Sequence, residues 1–265
     1  MYETLRVHRE GHLTWLVLDR PASLNALDST LVTELRDFFS GLASDTETRV
    51  VAVRGAGRAF CAGLDLKEHR SRERGRPSVP DALRAQRRIS ELVVLMRRAP
   101  QPIIACVHGA ACGGGFALAL AADVRLAGES ARMNAAFIRL GLSACDVGVS
   151  YFLPRLVGAS VAAELLLTGN FIDAARAERV GLVSRVVPDG ELEAAARALA
   201  GDMVRNTPLG LRLTKDCLKA SLDAGSLEQV IAMEDRNQIL AAQTGDFREG
   251  VRAFREKRPP RFRDA

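Results

Sequence analysis

The segment G-R-A-F-C-A-G-L-D-L-K-E, from Gly57 to Glu68, decides how the chain folds. It follows Val50 to Val53, a short apolar run that is typical of a buried strand. Asp65 and Glu68 have the spacing of a capping box, which predicts the start of a short helix. Backbone N–H groups that enter a helix attract negative charge. This strand, loop and helix therefore predict a backbone site for a negatively charged or polarised group.

A second glycine-rich segment, H-G-A-A-C-G-G-G, runs from His108 to Gly115. It follows another predicted strand, Ile103 to Val107, and precedes the apolar run Phe116 to Ala122. Three consecutive glycines let a backbone approach a ligand closely, although Gly113 to Gly115 matches no nucleotide-binding fingerprint and also fits a purely structural turn. If the fold joins the two segments, their N–H groups can hold one developing oxyanion between two donors.

Strands and helices alternate over the first two thirds of the chain. Thr4 to Arg9 and His12 to Asp19 predict a hairpin. Asp28 to Leu42 has apolar residues at helical spacing, with Asp28 as the N-cap. Leu182 to Val187 is the last predicted strand, and from Glu191 to about Phe254 the pattern is helical. The sequence therefore predicts an α/β body with an α-helical end.

Composition and charge narrow the classes of function. The chain has 265 residues, of which 48% are hydrophobic and 26% charged, and its formal net charge of +5 suits a polyanionic ligand. The basic residues concentrate in Arg84 to Arg98 and Arg252 to Arg263, which lack the interleaved aromatic residues of single-strand binders. We therefore expect both stretches to be solvated helix faces, and nucleic-acid binding is a minor alternative. The polar segment Asp65 to Pro80 predicts a mobile loop flanked by helices.

Cysteine usage and apolar runs bear on metal binding and location. The five cysteines include no C-x-x-C pair, and with four histidines they offer no zinc spacing, which predicts free thiols and no metal. No segment is expected to approach the ~18 uncharged apolar residues of a membrane span, since the longest candidate, Phe116 to Ala122, is far shorter. The N-terminal residues lack the basic and apolar regions of a signal peptide. We therefore expect a cytoplasmic protein without membrane contacts.

Five ordered motifs resemble the crotonase (enoyl-CoA hydratase/isomerase) superfamily. The first three are R-P-A-S-L-N-A-L (Arg20 to Leu27), the segment Gly57 to Glu68, and G-G-G-F-A-L-A-L-A-A-D (Gly113 to Asp123), which stand in the family's order and at its separations. Leu167 to Val183 and Phe254 to Phe262 match as well. The resemblance covers nearly the whole chain.

The resemblance implies a crotonase-type spiral of ββα turns in residues 1–195 and a C-terminal α-helical region in residues 196–265, which forms trimers that often stack into hexamers. It implies an acyl-CoA thioester as the substrate, with coenzyme A entering only as part of it and no further cofactor. The thioester carbonyl would be held by the N–H groups of Leu64 and Gly114. The residues expected around the acyl-CoA are Ser23, Leu24, Ala26, Ala62, Asp65, Leu66, Gly113, Ala117, Phe137, Phe254 and Lys257.

Two positions depart from the family's pattern. Hydratases of this family carry one glutamate two residues after the triple glycine and a second about twenty residues later. Here those positions hold Ala117 and Phe137, and neither side chain can exchange a proton. Because general acid–base groups typically contribute ~10²–10⁴-fold each, hydration is not the expected reaction.

One carboxylate remains nearby, at Asp146. The surrounding stretch resembles dienoyl-CoA isomerases and, more loosely, naphthoate synthases, which place an acidic residue at about this point. The dienoyl-CoA isomerases also carry carboxylates at the two positions that hold Ala117 and Phe137 here. Asp146 is therefore the candidate base, and the alternative is that it caps a helix starting near Val147. Tyr151 is a candidate supporting residue, and His69 and His108 are the remaining acid–base candidates.

Four functions stay open at this point. The favoured one is an acyl-CoA enzyme that performs isomerisation or another enolate-based step with Asp146, and decarboxylation and C–C hydrolysis remain open as its reaction. The others are a non-catalytic acyl-CoA-binding protein and a conventional enoyl-CoA hydratase whose acid–base residues are aligned differently. RNA binding through Arg84 to Arg98 is a fourth and weaker possibility.

Overall fold

The computed structural model describes residues 2–71 and 78–264, without the side chains of residues 69–71. The described strands are β1 (Leu5–Glu10), β2 (Leu13–Leu18), β3 (Val50–Gly55), β4 (Ile103–Val107), β5 (Ala110–Cys112), β6 (Val124–Gly128), β7 (Arg132–Asn134), β8 (Ile172–Asp173) and β9 (Arg185–Val187). The described α-helices are α1 (Ser29–Gly41), α2 (Leu66–Ser71), α3 (Val79–Arg98), α4 (Gly114–Ala121), α5 (Val149–Thr168), α6 (Ala174–Arg179), α7 (Leu192–Val204), α8 (Pro208–Ser221), α9 (Leu227–Ala242) and α10 (Gly245–Glu256).

The strands form two sheets. The larger has the order β1-β2-β3-β4-β6-β9, in which β1 pairs antiparallel with β2 and every later pair is parallel. The smaller has the order β5-β7-β8, with β5 parallel to β7 and β8 antiparallel to it. The predicted α/β body with a helical end is confirmed, since all elements from residue 192 onward are helices.

The central strands are apolar on both faces because helices cover both sides of the larger sheet. Along β3, Val51 and Val53 point into a core shared with α1, α3 and α4. Their neighbours Val50 and Ala52 point to the opposite face, where they meet Trp15 and helix α7. Helix α7 spans residue 195, so the predicted boundary between body and helical region falls inside an element that packs on the sheet.

A nearly buried ion pair attaches helix α8 to the body. The Lys215 ammonium lies 2.8 Å from a carboxylate oxygen of Asp123 and also donates to the backbone oxygens of Met96 and Gln101. Burial lowers the pKa of Lys215 below its ordinary value, while the Asp123 carboxylate opposes that shift. Helix α8 is thus fixed to the body through an ammonium group whose hydrogen bonds are made to one carboxylate and two backbone oxygens.

Three local predictions need correction. Asp65 to Pro80 is not a single loop, because α2 occupies Leu66–Ser71 and α3 begins at Val79, while residues 72–77 lie outside the described residues. The last strand is shorter than predicted and begins at Arg185. By length and hydropathy, Val149–Thr168 could span a membrane, contrary to the expectation that no segment approaches this. However, Gly158 has non-helical dihedral angles, so this segment is two short helices joined at a kink.

Helix α9 presents apolar side chains to solvent. Ile239 is 64% exposed and Leu240 is 51% exposed, and of the α9 side chains only Asn237 is buried within the described part of the chain. Large apolar side chains on one helix are a surface suited to self-association. We propose that α9 packs between chains of a threefold-symmetric particle.

Light scattering on the purified protein should therefore give a mass of about three times the 28.6 kDa of one chain, or a multiple of that trimer. Ile239→Glu should lower this mass, because it places a charge in a buried interface. Val79→Glu is the matched control, since Val79 is 82% exposed on another helix and its substitution should leave the mass unchanged. A stable monomer of the unmutated protein at micromolar concentration would contradict the proposal.

Candidate active site

The two glycine-rich segments meet through a short backbone pairing outside the sheets. Cys61 pairs in parallel with Ala111 of β5. The Cys61 N–H donates to the Ala110 oxygen, and the Cys112 N–H donates to the Cys61 oxygen, both at 3.0 Å. The fold therefore brings the two segments side by side, as the paired-donor hypothesis requires.

A second isolated pairing, between Leu27 and Leu64, orients the backbone of the first segment. The Leu27 N–H donates to the Gly63 oxygen at 2.7 Å, and the Asp65 N–H donates to the Leu27 oxygen at 3.0 Å. In such a parallel pairing the N–H and C=O of Leu64 itself point away from Leu27. Leu64 N–H thus faces the opposite side and donates to no acceptor in the described part of the protein.

Gly114 supplies the second N–H. It is the first residue of helix α4, where N–H groups have no partner within the helix, and its N–H also has no acceptor among the described residues. The two segments adjoin here, because a Cβ atom built on Gly63, the residue before Leu64, would lie 3.6 Å from the Gly114 nitrogen. Two unpaired donors thus lie on adjoining segments, and donors that converge on one point can stabilise an oxyanion.

The glycines at this junction are required by geometry. Gly113 has φ 50° and ψ −115°, a backbone conformation that residues with a Cβ rarely adopt. A Cβ on Gly115 would lie 2.1 Å from the Cys61 backbone oxygen, which is far inside van der Waals contact. The close approach of α4 to Cys61 is what places the Gly114 N–H beside Leu64.

The segment that resembles the CoA-binding motif lies directly against this junction. The Ala62 N–H donates to the Leu24 oxygen at 3.0 Å, and Leu24 has a left-handed φ of 51°. The fully buried Asn25 side chain holds the turn, because its amide donates to the backbone oxygens of Ala56 and Ala59. The structure therefore brings together the predicted residues Ser23, Leu24, Ala26, Ala62, Leu64, Asp65 and Leu66.

Two residues here were missed by the sequence analysis, Asn25 and Arg20. The Arg20 guanidinium donates to the Ala26 oxygen and pairs with Asp28 at 2.8 Å and with Asp65 at 3.0 Å. Asn25 carries one sequence signal, since asparagine tolerates the left-handed φ of 55° that it adopts. Arg20 carries no local signal in the sequence, because only the fold brings its two acidic partners to it.

The predicted capping box forms only in part. The Asp65 carboxylate accepts from the Lys67 N–H at 3.0 Å and so caps helix α2. The Glu68 carboxylate instead accepts from the N–H and hydroxyl of Ser29, at 2.9 and 2.7 Å, and thereby joins α2 to α1. Burial opposes ionisation of Asp65, but hydrogen bonds from Arg20 and from the α2 backbone outweigh it and hold the pKa of this carboxyl below its ordinary value.

Apolar side chains occupy the two positions at which the resemblance places the glutamates of hydratases. Ala117 is completely buried within α4. The Phe137 ring lies against Gly113, because a Cβ built there would be 3.4 Å from the nearest ring carbon. Asn134 precedes this ring by three residues and accepts the Gly113 N–H through its backbone oxygen at 2.9 Å. The wall next to the paired donors is therefore hydrophobic.

Asp146 is half-buried at the end of the loop that leads into α5. One carboxylate oxygen, Oδ1, accepts from the Gln86 side chain at 2.7 Å and from the Val147 N–H at 2.8 Å. Oδ2 accepts no hydrogen bond from the described residues. The alternative that Asp146 caps a helix near Val147 is wrong in its usual form, since α5 begins at Val149 and is preceded by Gly148 without a side-chain cap.

The other candidates lie elsewhere. The Tyr151 hydroxyl donates to Asp223 rather than to Asp146, and burial together with Asp223 raises the pKa of this phenol. His108 contacts the Gly57 oxygen at 3.0 Å, which is a structural role, and the His69 side chain lies outside the described residues. Phe254 is 87% exposed on α10.

The end of helix α10 is closed by Lys257. This residue has a left-handed φ of 52° and forms the C-cap, with its N–H donating to backbone oxygens of the last turn. Neither Phe254 nor Lys257 is joined to the two glycine-rich segments by a hydrogen bond or ion pair within the described chain.

The thiols and the metal-binding residue types offer no further chemistry near the donors. All five cysteines are free, and burial raises the pKa of Cys61 to about 12, so its thiol stays protonated. Among residues 2–71 and 78–264, no three His, Cys, Asp or Glu side chains gather as metal ligands.

Comparisons with known proteins find similar proteins over nearly the whole length of the chain. A family model described as enoyl-CoA hydratase/isomerase matches residues 9–265. The chain is 40% identical over 262 residues to a Mycobacterium bovis protein named probable enoyl-CoA hydratase echA12, covering 97% of this chain and 91% of that protein. It is 34% identical to the 1,2-epoxyphenylacetyl-CoA isomerase of Escherichia coli over 99% of both chains.

A solved structure of similar fold is the enoyl-CoA hydratase of Bacillus anthracis. It matches with a TM-score of 0.94 at 34% identity and covers 99% of this chain and 100% of that chain. The predicted crotonase-type fold is confirmed by this match.

The close approach of α4 to Cys61 can be tested directly. Gly115→Ala should lower the free energy of unfolding by at least about 1–3 kcal/mol, because a methyl group has no room beside the Cys61 oxygen. Gly41→Ala is the control, since no atom lies within 4 Å of a Cβ built at that helical glycine. Chemical denaturation of both variants measures the difference, and equal stability would contradict the close approach.

Proposed function

This chain belongs to the enoyl-CoA hydratase/isomerase family and is an enzyme of that family, and we propose that it stabilises a thioester enolate with two backbone N–H groups while Asp146 moves the proton. The observation that carries the proposal is the meeting of two unpaired donors, Leu64 N–H and Gly114 N–H, beside a wall that lacks both glutamates. The substrate is an acyl-CoA thioester, and coenzyme A takes part only as a portion of it.

The paired donors would act on the thioester carbonyl oxygen. Removal of a proton from the carbon next to the carbonyl moves an electron pair toward that oxygen, which becomes negatively charged. Fixed N–H dipoles stabilise this charge without reorganising, and one such donor typically contributes ~10²–10³-fold to the rate. The thioester oxygen is therefore expected to lie about 2.7–3.1 Å from the nitrogens of Leu64 and Gly114.

Asp146 would transfer the proton. Its Oδ1 is held by Gln86 and by the Val147 N–H, so Oδ2 is the oxygen that can accept a proton. In an isomerisation, the carboxylate takes a proton from the carbon next to the carbonyl and returns it to the far carbon of the conjugated system. The double bond moves, the carboxylate is regenerated, and no water or second reactant is consumed.

The hydrophobic wall favours isomerisation over hydration. Hydration needs one group to activate water and another to deliver a proton, and Ala117 and Phe137 can do neither. The relative from Escherichia coli is named 1,2-epoxyphenylacetyl-CoA isomerase, and this name supports an isomerase activity for the present chain. Phe254 and Lys257 are proposed as contacts of the CoA portion from the C-terminal helices.

Conventional hydration is the second candidate, because the Mycobacterium bovis and Bacillus anthracis relatives are named as hydratases. We expect this chain to hydrate crotonyl-CoA ~10²–10⁴-fold more slowly for each missing proton-transfer group. Loss of the enoyl absorbance measures the rate, with a hydratase that carries both glutamates as the reference. Hydration at the reference rate would establish the conventional activity and refute the isomerase proposal.

The role of Asp146 is tested by Asp146→Asn, which keeps the shape of the side chain but removes its ionisation. Turnover of the best substrate from a panel of enoyl-CoA thioesters should fall by at least ~10²-fold, while the Kd for that thioester changes little. Asp37→Asn is the control, because Asp37 is exposed on α1 and accepts a hydrogen bond from Tyr2 rather than from a residue of the candidate site. A lower melting temperature with unchanged turnover in Asp146→Asn would make Asp146 a structural residue.

A further inference from the structure

Arg20 lies between the two backbone segments whose pairing orients Leu64. Its side chain is only 18% exposed. The guanidinium contacts the Ala26 oxygen and the Asp28 carboxylate, which are the residues on either side of Leu27. It also contacts the carboxylate of Asp65, which follows Leu64. One side chain thus bridges both sides of the isolated Leu27–Leu64 pairing.

This pairing sets the direction of the Leu64 N–H. The Gly63 carbonyl and the Leu64 N–H belong to one planar trans peptide, so they point in opposite directions. The Leu27 N–H holds the Gly63 oxygen at 2.7 Å. Any movement of Leu27 relative to Asp65 therefore turns the peptide that carries the Leu64 N–H.

An arginine is suited to this task and a lysine is not. The contacts to Ala26, Asp28 and Asp65 come from two nitrogens of one planar group, which fixes the positions of three acceptors relative to each other. Asp65 is fixed from its other oxygen by the Lys67 N–H of α2. A lysine ammonium keeps the charge but presents a single point in place of the fork.

We propose that Arg20 is a positioning residue for the oxyanion-stabilising N–H of Leu64, acting through the Leu27–Leu64 pairing. The inference rests on the proposed function, because it gives Arg20 the role of orienting an N–H group that stabilises the thioester oxygen. Substitution of Arg20 should therefore reduce the polarisation of the thioester carbonyl more than it reduces the affinity for acyl-CoA.

Polarisation can be read with 4-(dimethylamino)cinnamoyl-CoA, a chromophoric thioester whose absorption shifts to the red when its carbonyl oxygen is stabilised. We expect Arg20→Lys, at saturating ligand, to show at most about half of the unmutated protein's red shift. Its kcat should fall about 10- to 100-fold while Kd changes less than about threefold. Arg97→Lys is the matched control, since Arg97 is similarly buried at 19% exposure and pairs with Asp123 away from the two donors. It should keep the full red shift.

The outcomes separate the two claims. A full red shift in folded Arg20→Lys overturns the role of Arg20. The absence of a red shift in the unmutated protein with bound ligand overturns the oxyanion hole itself, and with it the proposed function. If Arg20→Lys does not fold, Asp65→Asn takes its place, because it keeps the oxygen that caps α2 and removes the charge that Arg20 contacts. The same criterion then applies to its red shift.

Discussion

The backbone pairing of Cys61 with Ala111 is the contact on which the rest of the site depends. It joins two segments that leave adjacent strands of the larger sheet, β3 and β4, and it does so with main-chain atoms only. Because side chains are not involved, the junction tolerates changes around it as long as the glycines that permit close approach are kept. The paired N–H donors are a property of this junction rather than of any catalytic side chain.

Much of the fold could be predicted because its signals are local. Helix α1 begins after Asp28, which caps it as expected, and β4 spans the predicted Ile103 to Val107. Helix α2 also follows its predicted cap at Asp65. The errors arose where a distant partner decides the outcome. Glu68 bonds to Ser29 instead of closing the capping box, and Tyr151 bonds to Asp223.

The features of the site also divide into those with a local sequence signal and those that depend on distant partners. The loops and their glycines could be identified from motifs, since positions where two backbones approach closely require glycine. Arg20 could not, because its role depends on two carboxylates that only the folded chain brings to it. The absence of both glutamates was evident from the sequence, but the packing of the Phe137 ring against Gly113 required the structure.

The hydrophobic wall formed by Ala117 and Phe137 also limits which side chains can replace either residue. A carboxylate at residue 117 would need polar partners, while its surroundings in α4 are completely buried and the nearby ring of Phe137 offers none. A single acidic substitution at residue 117 would therefore bury a charge that has no polar partner. Introducing an acidic pair would require polar substitutions around both positions at the same time.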